Sequence, residues 1–216
     1  MSEEKKGFEY YLSKSVSYLF HPLLAPLAGV FIINYYFGDI CHLTEDGKTY
    51  IWAITTISTL ILPLAFVPMM MYQKVIQSIE MKTAKERVTP LFIISVFYFF
   101  CWFIMYRLQA PQVYKVYLLV ASFSVFGALI LNFFTKVSTH MTGLGGLTAS
   151  VYCLMYYSDS NLQLVFIILM GISGITAYAR LRLNAHTPIQ VYLGYIMGAG
   201  VAVFLFYLMQ NSMDLI

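Results

Sequence analysis

Three polar clusters carry residue types suited to phosphoryl transfer in a chain that is otherwise strongly apolar. They are KTAKERVTP at 82–90, KVSTH at 136–140 and ARLRLNAH at 179–186, and their basic side chains are Lys82, Lys85, Arg87, Lys136, His140, Arg180, Arg182 and His186. Cations repel one another, so their convergence is favourable only around an anion. Among such cations, one imidazole can attack phosphorus while a second protonates the leaving oxygen. The clusters therefore favour a phosphate site with a histidine pair.

The cations alone have a second interpretation, since Lys and Arg at helix ends commonly reach anionic lipid headgroups. The histidines are more informative because the chain has four of them. His21, beside Pro22, is expected near the membrane interface, and His42 is expected in a loop. His140 and His186 each open an apolar run beside a cationic cluster. These two histidines are therefore the catalytic candidates.

The spacing after His186 predicts how its ring is oriented. Gln190 lies four residues later, on the same face of a predicted helix. Its amide oxygen is expected to accept the Nδ1–H of His186, which fixes the tautomer and leaves Nε2 free to attack. Glycines in the same regions predict close helix packing that needs no catalytic role. They are Gly143, Gly146, Gly194 and Gly198.

Seven apolar runs must position these clusters. They span roughly 15–37, 51–72, 90–106, 116–134, 141–157, 162–178 and 188–209. The chain is 60% hydrophobic and 11% charged, which excludes an ordinary soluble domain. The runs are continuous instead of alternating, and backbone groups in lipid must be satisfied internally, so we expect helices. The prediction is an all-α, multipass bundle of about six to seven transmembrane helices in one domain, 1–216.

Lys and Arg are distributed unevenly between the two ends of these runs. The N-terminus and the loops at 73–89, 135–140 and 179–187 hold ten, which are Lys5, Lys6, Lys14, Lys74, Lys82, Lys85, Arg87, Lys136, Arg180 and Arg182. The other end holds Lys48, Arg107 and Lys115. Positive residues favour the cytoplasm, so the N-terminus and the clusters are expected there. Setting aside Lys82, Lys85, Arg87 and Arg180 as site residues leaves six against three, in the same direction.

The order and spacing of the clusters resemble the signature of the type 2 phosphatidic acid phosphatase family, whose fold is shared with vanadium haloperoxidases. That signature has three parts: K-x6-R-P, P-S-G-H and S-R-x5-H-x3-D. The third part is matched by Ala179-Arg180, His186 and Gln190, the second by 137–140 (VSTH), and the first, more weakly, by Lys82 and Thr89-Pro90. The resemblance covers residues 82–198, and the Arg–His spacing is its most specific element.

The resemblance implies a role for each matched residue. His186 would be the nucleophile that forms a phosphohistidine, oriented by Gln190, and His140 would be the general acid for the leaving alcohol. The phosphoryl oxygens would be bound by Lys82, Ser138, the backbone N–H of Thr139 and Arg180, and Arg87 is a further candidate for binding them. Such donors stabilise charge on the transferring group. No cofactor is expected, and the sequence has no cluster of metal ligands.

The chain departs from the family signature at three positions. Thr89 stands where the family has Arg, and Arg87, two residues earlier, is the candidate replacement. Gln190 stands where the family has Asp, so the amide can orient an imidazole but cannot stabilise an imidazolium by charge. Ala179 replaces Ser. Two apolar runs also lie between the first two motifs, and two crossings return the chain to the same side.

The predicted function is hydrolysis of a membrane-embedded phosphomonoester or diphosphate, such as phosphatidate, phosphatidylglycerophosphate or a polyprenyl diphosphate. The expected partners are this lipid phosphate and membrane lipids, with no nucleic acid, in a bacterial inner membrane. The alternative is a lipid-phosphate binding or carrier protein of the same fold that has lost catalysis, which the changes at Thr89 and Gln190 favour. A small-solute transporter is disfavoured because the polar residues gather at one membrane face.

Overall fold

The computed structural model describes residues 7–38, 41–78, 81, 83–158 and 160–209, and over these ranges its regular structure is entirely helical. The α-helices are α1 (Phe8–Leu19), α2 (Ala25–Phe37), α3 (Glu45–Thr56), α4 (Leu62–Tyr72), α5 (Ala84–Arg107), α6 (Gln112–Asn132), α7 (Thr139–Ser158), α8 (Gln163–Arg182) and α9 (Pro188–Met209). The all-α prediction is confirmed for the described part of the chain.

Six stretches are long and apolar enough to cross a membrane. They are Phe8–Phe37, Glu45–Tyr72, Ala84–Arg107, Gln112–Asn132, Gln163–Arg182 and Pro188–Met209. Large apolar side chains such as Phe100, Ile167 and Phe204 are exposed on their outer faces, where lipid is the natural solvent. The chain is thus a multipass membrane protein. The remaining predicted run, 141–157, corresponds to α7, which is more polar and lies inside the bundle.

The first two apolar runs are interrupted, which the sequence analysis did not predict. Between α1 and α2 a short 3₁₀ turn spans Pro22–Leu24, because Pro22 has no N–H with which to continue α1. Between α3 and α4 a π-helical turn spans Ile57–Ile61. The break before α2 leaves the last carbonyl groups of α1 without helical partners, and one of these contributes to the site described below.

Two helix boundaries differ from the prediction and move cations into helices. Thr83 caps α5 by accepting the Glu86 N–H at 3.3 Å, so α5 begins before the apolar run and contains Arg87. α8 continues to Arg182, so Arg180 lies in its last turn. These cations are therefore held on rigid helix ends, close to the loops in which we expected them.

α7 is the central helix, and glycines set its distance from α9. Twelve of its 20 residues are buried. A Cβ on Gly198 would collide with the backbone carbonyl of Thr142, and one on Gly194 would lie 2.6 Å from the Ser138 carbonyl oxygen. The predicted packing role of Gly194 and Gly198 is confirmed, and the contact fixes the start of α7 against the start of α9.

Candidate active site

The three clusters meet at the loop that joins α6 to α7. Arg87, from the first cluster, donates from Nη1 to the carbonyl oxygen of Val137 at 3.3 Å. His186, from the third cluster, pairs through Nδ1 with the carbonyl oxygen of Lys136 at 3.0 Å. Both carbonyl groups belong to the second cluster. The predicted convergence of the clusters is confirmed for these residues, and backbone carbonyls of the loop accept the bonds.

The contact of His186 with the loop determines its tautomer. A carbonyl oxygen can only accept, so Nδ1 carries the hydrogen and the lone pair of the neutral ring lies on Nε2. Nε2 is buried and has no hydrogen-bond partner within the described residues. Burial, reinforced by the charges of Arg87 and Arg180, lowers the pKa of His186 to about 3. The ring is therefore a neutral imidazole with an unused lone pair at neutral pH.

Gln190 does not orient the His186 ring as predicted. Its Oε1 accepts the backbone N–H of Thr187 at 3.1 Å, and its Nε2 donates to Thr135 Oγ1 at 3.3 Å. Its backbone carbonyl accepts the N–H of Ser138 at 3.2 Å. Gln190 therefore ties the start of α9 to the α6–α7 loop.

This difference has a local cause. α9 begins at Pro188, so His186 precedes the first helical residue and does not share a helix face with Gln190. The ring turns to the α6–α7 loop, where the carbonyl group of Lys136 fixes its tautomer. A main-chain carbonyl thus does the orienting that we had assigned to the side chain of Gln190.

The second candidate histidine, His140, lies in the first turn of α7 and contacts α1. Its Nε2 pairs with the carbonyl oxygen of Ser17 at 3.0 Å, which places the hydrogen on Nε2 and the lone pair of the neutral ring on Nδ1. Its ring packs edge-on against His21, with centroids 5.6 Å apart and an interplanar angle of 76°. The break between α1 and α2 therefore positions His140.

A cavity of about 990 Å³ lies beside these residues. Its polar wall includes Lys14, His21, Arg87, Lys136, His140 and Arg180, and its apolar wall includes Leu64, Val67, Ile94, Val120, Val125 and Leu147. Burial, followed by the charges of Arg87 and Arg180, lowers the pKa of Lys136, so these three cations lie within electrostatic range. Part of the cavity suits an anion, and the remainder suits a hydrocarbon chain.

His186 lies next to this cavity without forming its wall. It lines a neighbouring groove of about 500 Å³ with Gln190, and Asn184 and Ala185 line both spaces. We expected the rings of both histidines to flank one pocket. That expectation is confirmed for His140, whereas His186 lies outside the cavity wall and its Nε2 atom is buried.

The predicted phosphate ligands fall into three groups. Arg87, Arg180 and Thr139 line the cavity, whereas Ser138 is fully buried and its Oγ has no partner within the described residues. Lys82 lies outside the described residues. No group of three or more His, Cys, Asp or Glu side chains suited to a metal ion occurs in the described part of the chain.

Arg87 lies on the cavity wall, and Thr89 does not. Thr89 is exposed, and Arg87 is 8% exposed and also donates from Nε to the carbonyl oxygen of Met81 at 3.1 Å. Two residues along a helix point to nearly opposite faces, so both positions cannot serve one cavity. Arg87, and not Thr89, therefore faces the cavity.

Residues of α1 and of its break were missed. Lys14, Ser17 and His21 reach the cavity or its histidine, yet the apolar run suggested a plain membrane span and an interfacial His21. The available signal was the spacing of Lys14 and His21, which are two helical turns apart ahead of a proline.

Comparisons with known proteins give no match: no family model, no curated protein and no solved structure is similar to this chain.

Proposed function

We propose that this protein is a lipid-phosphate phosphatase that works through a phosphohistidine at His186. The observation that carries the proposal is the His186 ring: its Nδ1–H is held by a main-chain carbonyl, and its Nε2 lone pair has no partner within the described residues. Such a lone pair on a buried, neutral imidazole calls for an explanation, and nucleophilic attack is the chemistry for which it is suited.

The proposed reaction has two steps. Nε2 of His186 attacks phosphorus, an N–P bond forms, and the P–O bond to the lipid breaks with its electron pair on the leaving oxygen. His140 takes the acidic proton of the bound phosphomonoester on the lone pair of Nδ1 and passes it to the leaving oxygen, while its Nε2–H stays on the carbonyl oxygen of Ser17. Water then attacks phosphorus, its proton returns to Nδ1 of His140, and inorganic phosphate leaves. Neither step consumes an oxidant, a reductant or a second substrate other than water.

The cavity supports a lipid as the substrate. Arg87, Lys136 and Arg180 offer charge-assisted donors for phosphoryl oxygens, which is the main catalytic task in phosphoryl transfer. The apolar side chains that continue the wall suit an acyl or prenyl chain. A phosphomonoester or diphosphate of a membrane lipid satisfies both parts of the cavity. Attack also requires the turn at 183–187 to move, so that Nε2 of His186 reaches the bound phosphorus.

One observation favours a second candidate, a lipid-phosphate binding protein without catalysis. Nε2 of His186 is buried, and the residues on the cavity wall at that point are Asn184 and Ala185. A binder needs the cations and the apolar wall but no accessible nucleophile. Both candidates predict binding of a lipid phosphate, and they differ in whether phosphate is released.

The test is phosphate release by the purified protein in detergent from a panel of lipid phosphates, for the wild type, His186→Ala and the control His42→Ala. His42 is exposed and does not line the cavity. We expect turnover by the wild type and the control, with a loss of about 10³-fold or more in His186→Ala, as for other removed nucleophiles. Full activity in His186→Ala would remove the phosphatase proposal, and binding without release in the wild type would select the binding protein.

The lipid part of the proposal has its own test on α6. Ala121 lines the cavity, so Ala121→Phe fills part of the apolar space, whereas Ile130→Phe changes the exposed outer face of the same helix. We expect Ala121→Phe to raise KM for long-chain lipid phosphates and to leave a short-chain, water-soluble phosphate ester unaffected. An equal effect of Ala121→Phe on both substrates would contradict a hydrocarbon site in this space.

A further inference from the structure

His21 lies in the break between α1 and α2 and lines the same cavity as His140. Its Nδ1 accepts the backbone N–H of Leu23 at 3.3 Å. An amide N–H can only donate, so Nδ1 is the unprotonated nitrogen and the neutral ring carries its hydrogen on Nε2. The short turn that follows Pro22 therefore determines which nitrogen of His21 is the donor.

That donor is available to a ligand. Among the described residues, no acceptor is paired with Nε2 of His21, and the ring is half-buried on the cavity wall. The His140 ring packs against it at a centroid distance of 5.6 Å. A phosphoryl group whose leaving oxygen receives a proton from His140 therefore lies close to the His21 ring.

The break that carries His21 is fixed to the rest of the site from two sides. The carbonyl oxygen of Ser17, at the end of α1, accepts a hydrogen bond from His140 at the start of α7. Glu9, near the start of α1, forms an ion pair with Arg182 at the end of α8, at 2.9 Å. Exposed ion pairs stabilise little, but this one aligns α1 with the helix that carries Arg180. The first helix is thus part of the site's framework.

We infer that His21 is a further substrate-binding residue, whose Nε2–H donates to an oxygen of the phosphoryl group held in the cavity. The inference rests on the proposed function insofar as that function supplies the phosphoryl ligand. It adds a neutral donor from α1, outside the three clusters of cations. A neutral donor binds a phosphoryl oxygen without adding to the repulsion among Arg87, Lys136 and Arg180.

Substitutions at His21 can separate this role from a purely structural one. Asp and Asn are both good residues at the start of a helical turn, so each can accept the Leu23 N–H. Asn keeps an N–H donor, whereas Asp has none when ionised and repels an anion.

The matched control is His42→Asn, because His42 is exposed with a φ of 52°, a backbone conformation that Asn tolerates. The probe is orthovanadate, a phosphate-like oxyanion, titrated by calorimetry against the full-length protein in detergent.

We expect His21→Asp to weaken orthovanadate binding by about tenfold or more, the loss typical of a charge-assisted hydrogen bond. His21→Asn should bind within about threefold of the wild type, and His42→Asn should bind like the wild type. Orthovanadate affinity equal to that of the wild type in both His21 variants would overturn the inference. So would an equal loss of affinity in His21→Asp and His21→Asn together with equal losses of thermal stability, because that result indicates a structural role. If the variants behave as expected but the wild type releases no phosphate from any lipid, the proposed catalysis fails and the role of His21 in binding stands.

Discussion

At His186 the partner of Nδ1–H is the main-chain carbonyl of Lys136. A carbonyl fixes the tautomer as well as a carboxylate does, but it brings no negative charge to stabilise an imidazolium. Because the ring is buried and lies near Arg87 and Arg180, it stays neutral at pH values far below its ordinary pKa. The neutral ring therefore keeps a lone pair on Nε2. In the proposed reaction, Arg87, Lys136 and Arg180 balance charge on the transferring phosphoryl group.

The low pKa of His186 predicts a dependence of stability on pH. The pKa falls from 6.5 to about 3 on folding, so between these values the unfolded chain binds a proton that the folded protein does not. Stability should therefore be lost as pH falls from 6.5 towards 3. We expect His186→Gln to show a smaller drop in thermal midpoint than the wild type between about pH 7 and about pH 4.5. His42→Gln serves as the control, and equal drops in wild type and His186→Gln would contradict the assignment.

Gln190 is expected to act on stability through its side-chain hydrogen bonds to Thr187 and Thr135. Gln190→Ala removes both bonds and should destabilise the protein by about 1–2 kcal/mol. Gln190→Glu can still accept the Thr187 N–H and can accept the Thr135 hydroxyl, so it should retain most of this stability. Thermal unfolding in detergent measures the stability of the two Gln190 variants, and Gln163→Ala, at an exposed position, is the control. Equal destabilisation by Ala and Glu would show that these hydrogen bonds are not the cause.

At the scale of elements, the close approach of α7 and α9 brings the second and third clusters together. Gly194 and Gly198 allow the backbones to meet, and the N–H of Ser138 bonds to the carbonyl oxygen of Gln190 at 3.2 Å where the two helices begin. Because the site residues stand at these starts, a shift between the helices would displace His186 from the loop beside His140.

The effect of that packing can be measured with two alanine substitutions on α9. Gly198→Ala places a methyl group on the Thr142 carbonyl and should destabilise the protein by about 1–3 kcal/mol. Gly200→Ala has nothing within 4 Å of the new Cβ, so helix propensity alone should make it neutral or stabilising by up to about 1 kcal/mol. Thermal unfolding of the two variants provides the comparison. A Gly198→Ala protein as stable as Gly200→Ala would contradict the packing argument.

At the scale of the whole molecule, the site lies at the end of the bundle that holds most of the positive charge. Four of the ten cations at this end, Lys14, Arg87, Lys136 and Arg180, line the cavity and so serve the site. Six others remain against three at the opposite end. The excess survives without the site residues, and it favours a cytoplasmic location for the site.

Cysteine labelling in intact cells tests this orientation. Ser2 and Asp159 lie outside the described residues but belong to opposite ends of the predicted topology. In a background with Cys41, Cys101 and Cys153 replaced by Ala, we expect an impermeant thiol reagent to label Asp159→Cys and to spare Ser2→Cys. Permeabilised cells should label both, which controls for reactivity. The reverse pattern in intact cells would place the N-terminus and the candidate site outside.

The sequence by itself determined the membrane-spanning helical architecture and the end of the bundle at which the three polar clusters lie. Both follow from local properties, since continuous apolar runs form helices in lipid and the polar residues lie between those runs. The packing role of Gly194 and Gly198 was also predictable, because small residues on a helix face permit close approach whatever the partner.

Tertiary structure alone decided which groups meet. The Nδ1 partner of His186 is 50 residues away, and the partner of His140 is 123 residues away on α1. Helical periodicity relates residues three or four apart, so it suggested Gln190 for His186 and could not suggest the carbonyl groups of Lys136 or Ser17. The position of His21 on the cavity wall and the burial of Nε2 of His186 likewise depend on how the breaks between helices pack. Local residue spacing does not determine that packing.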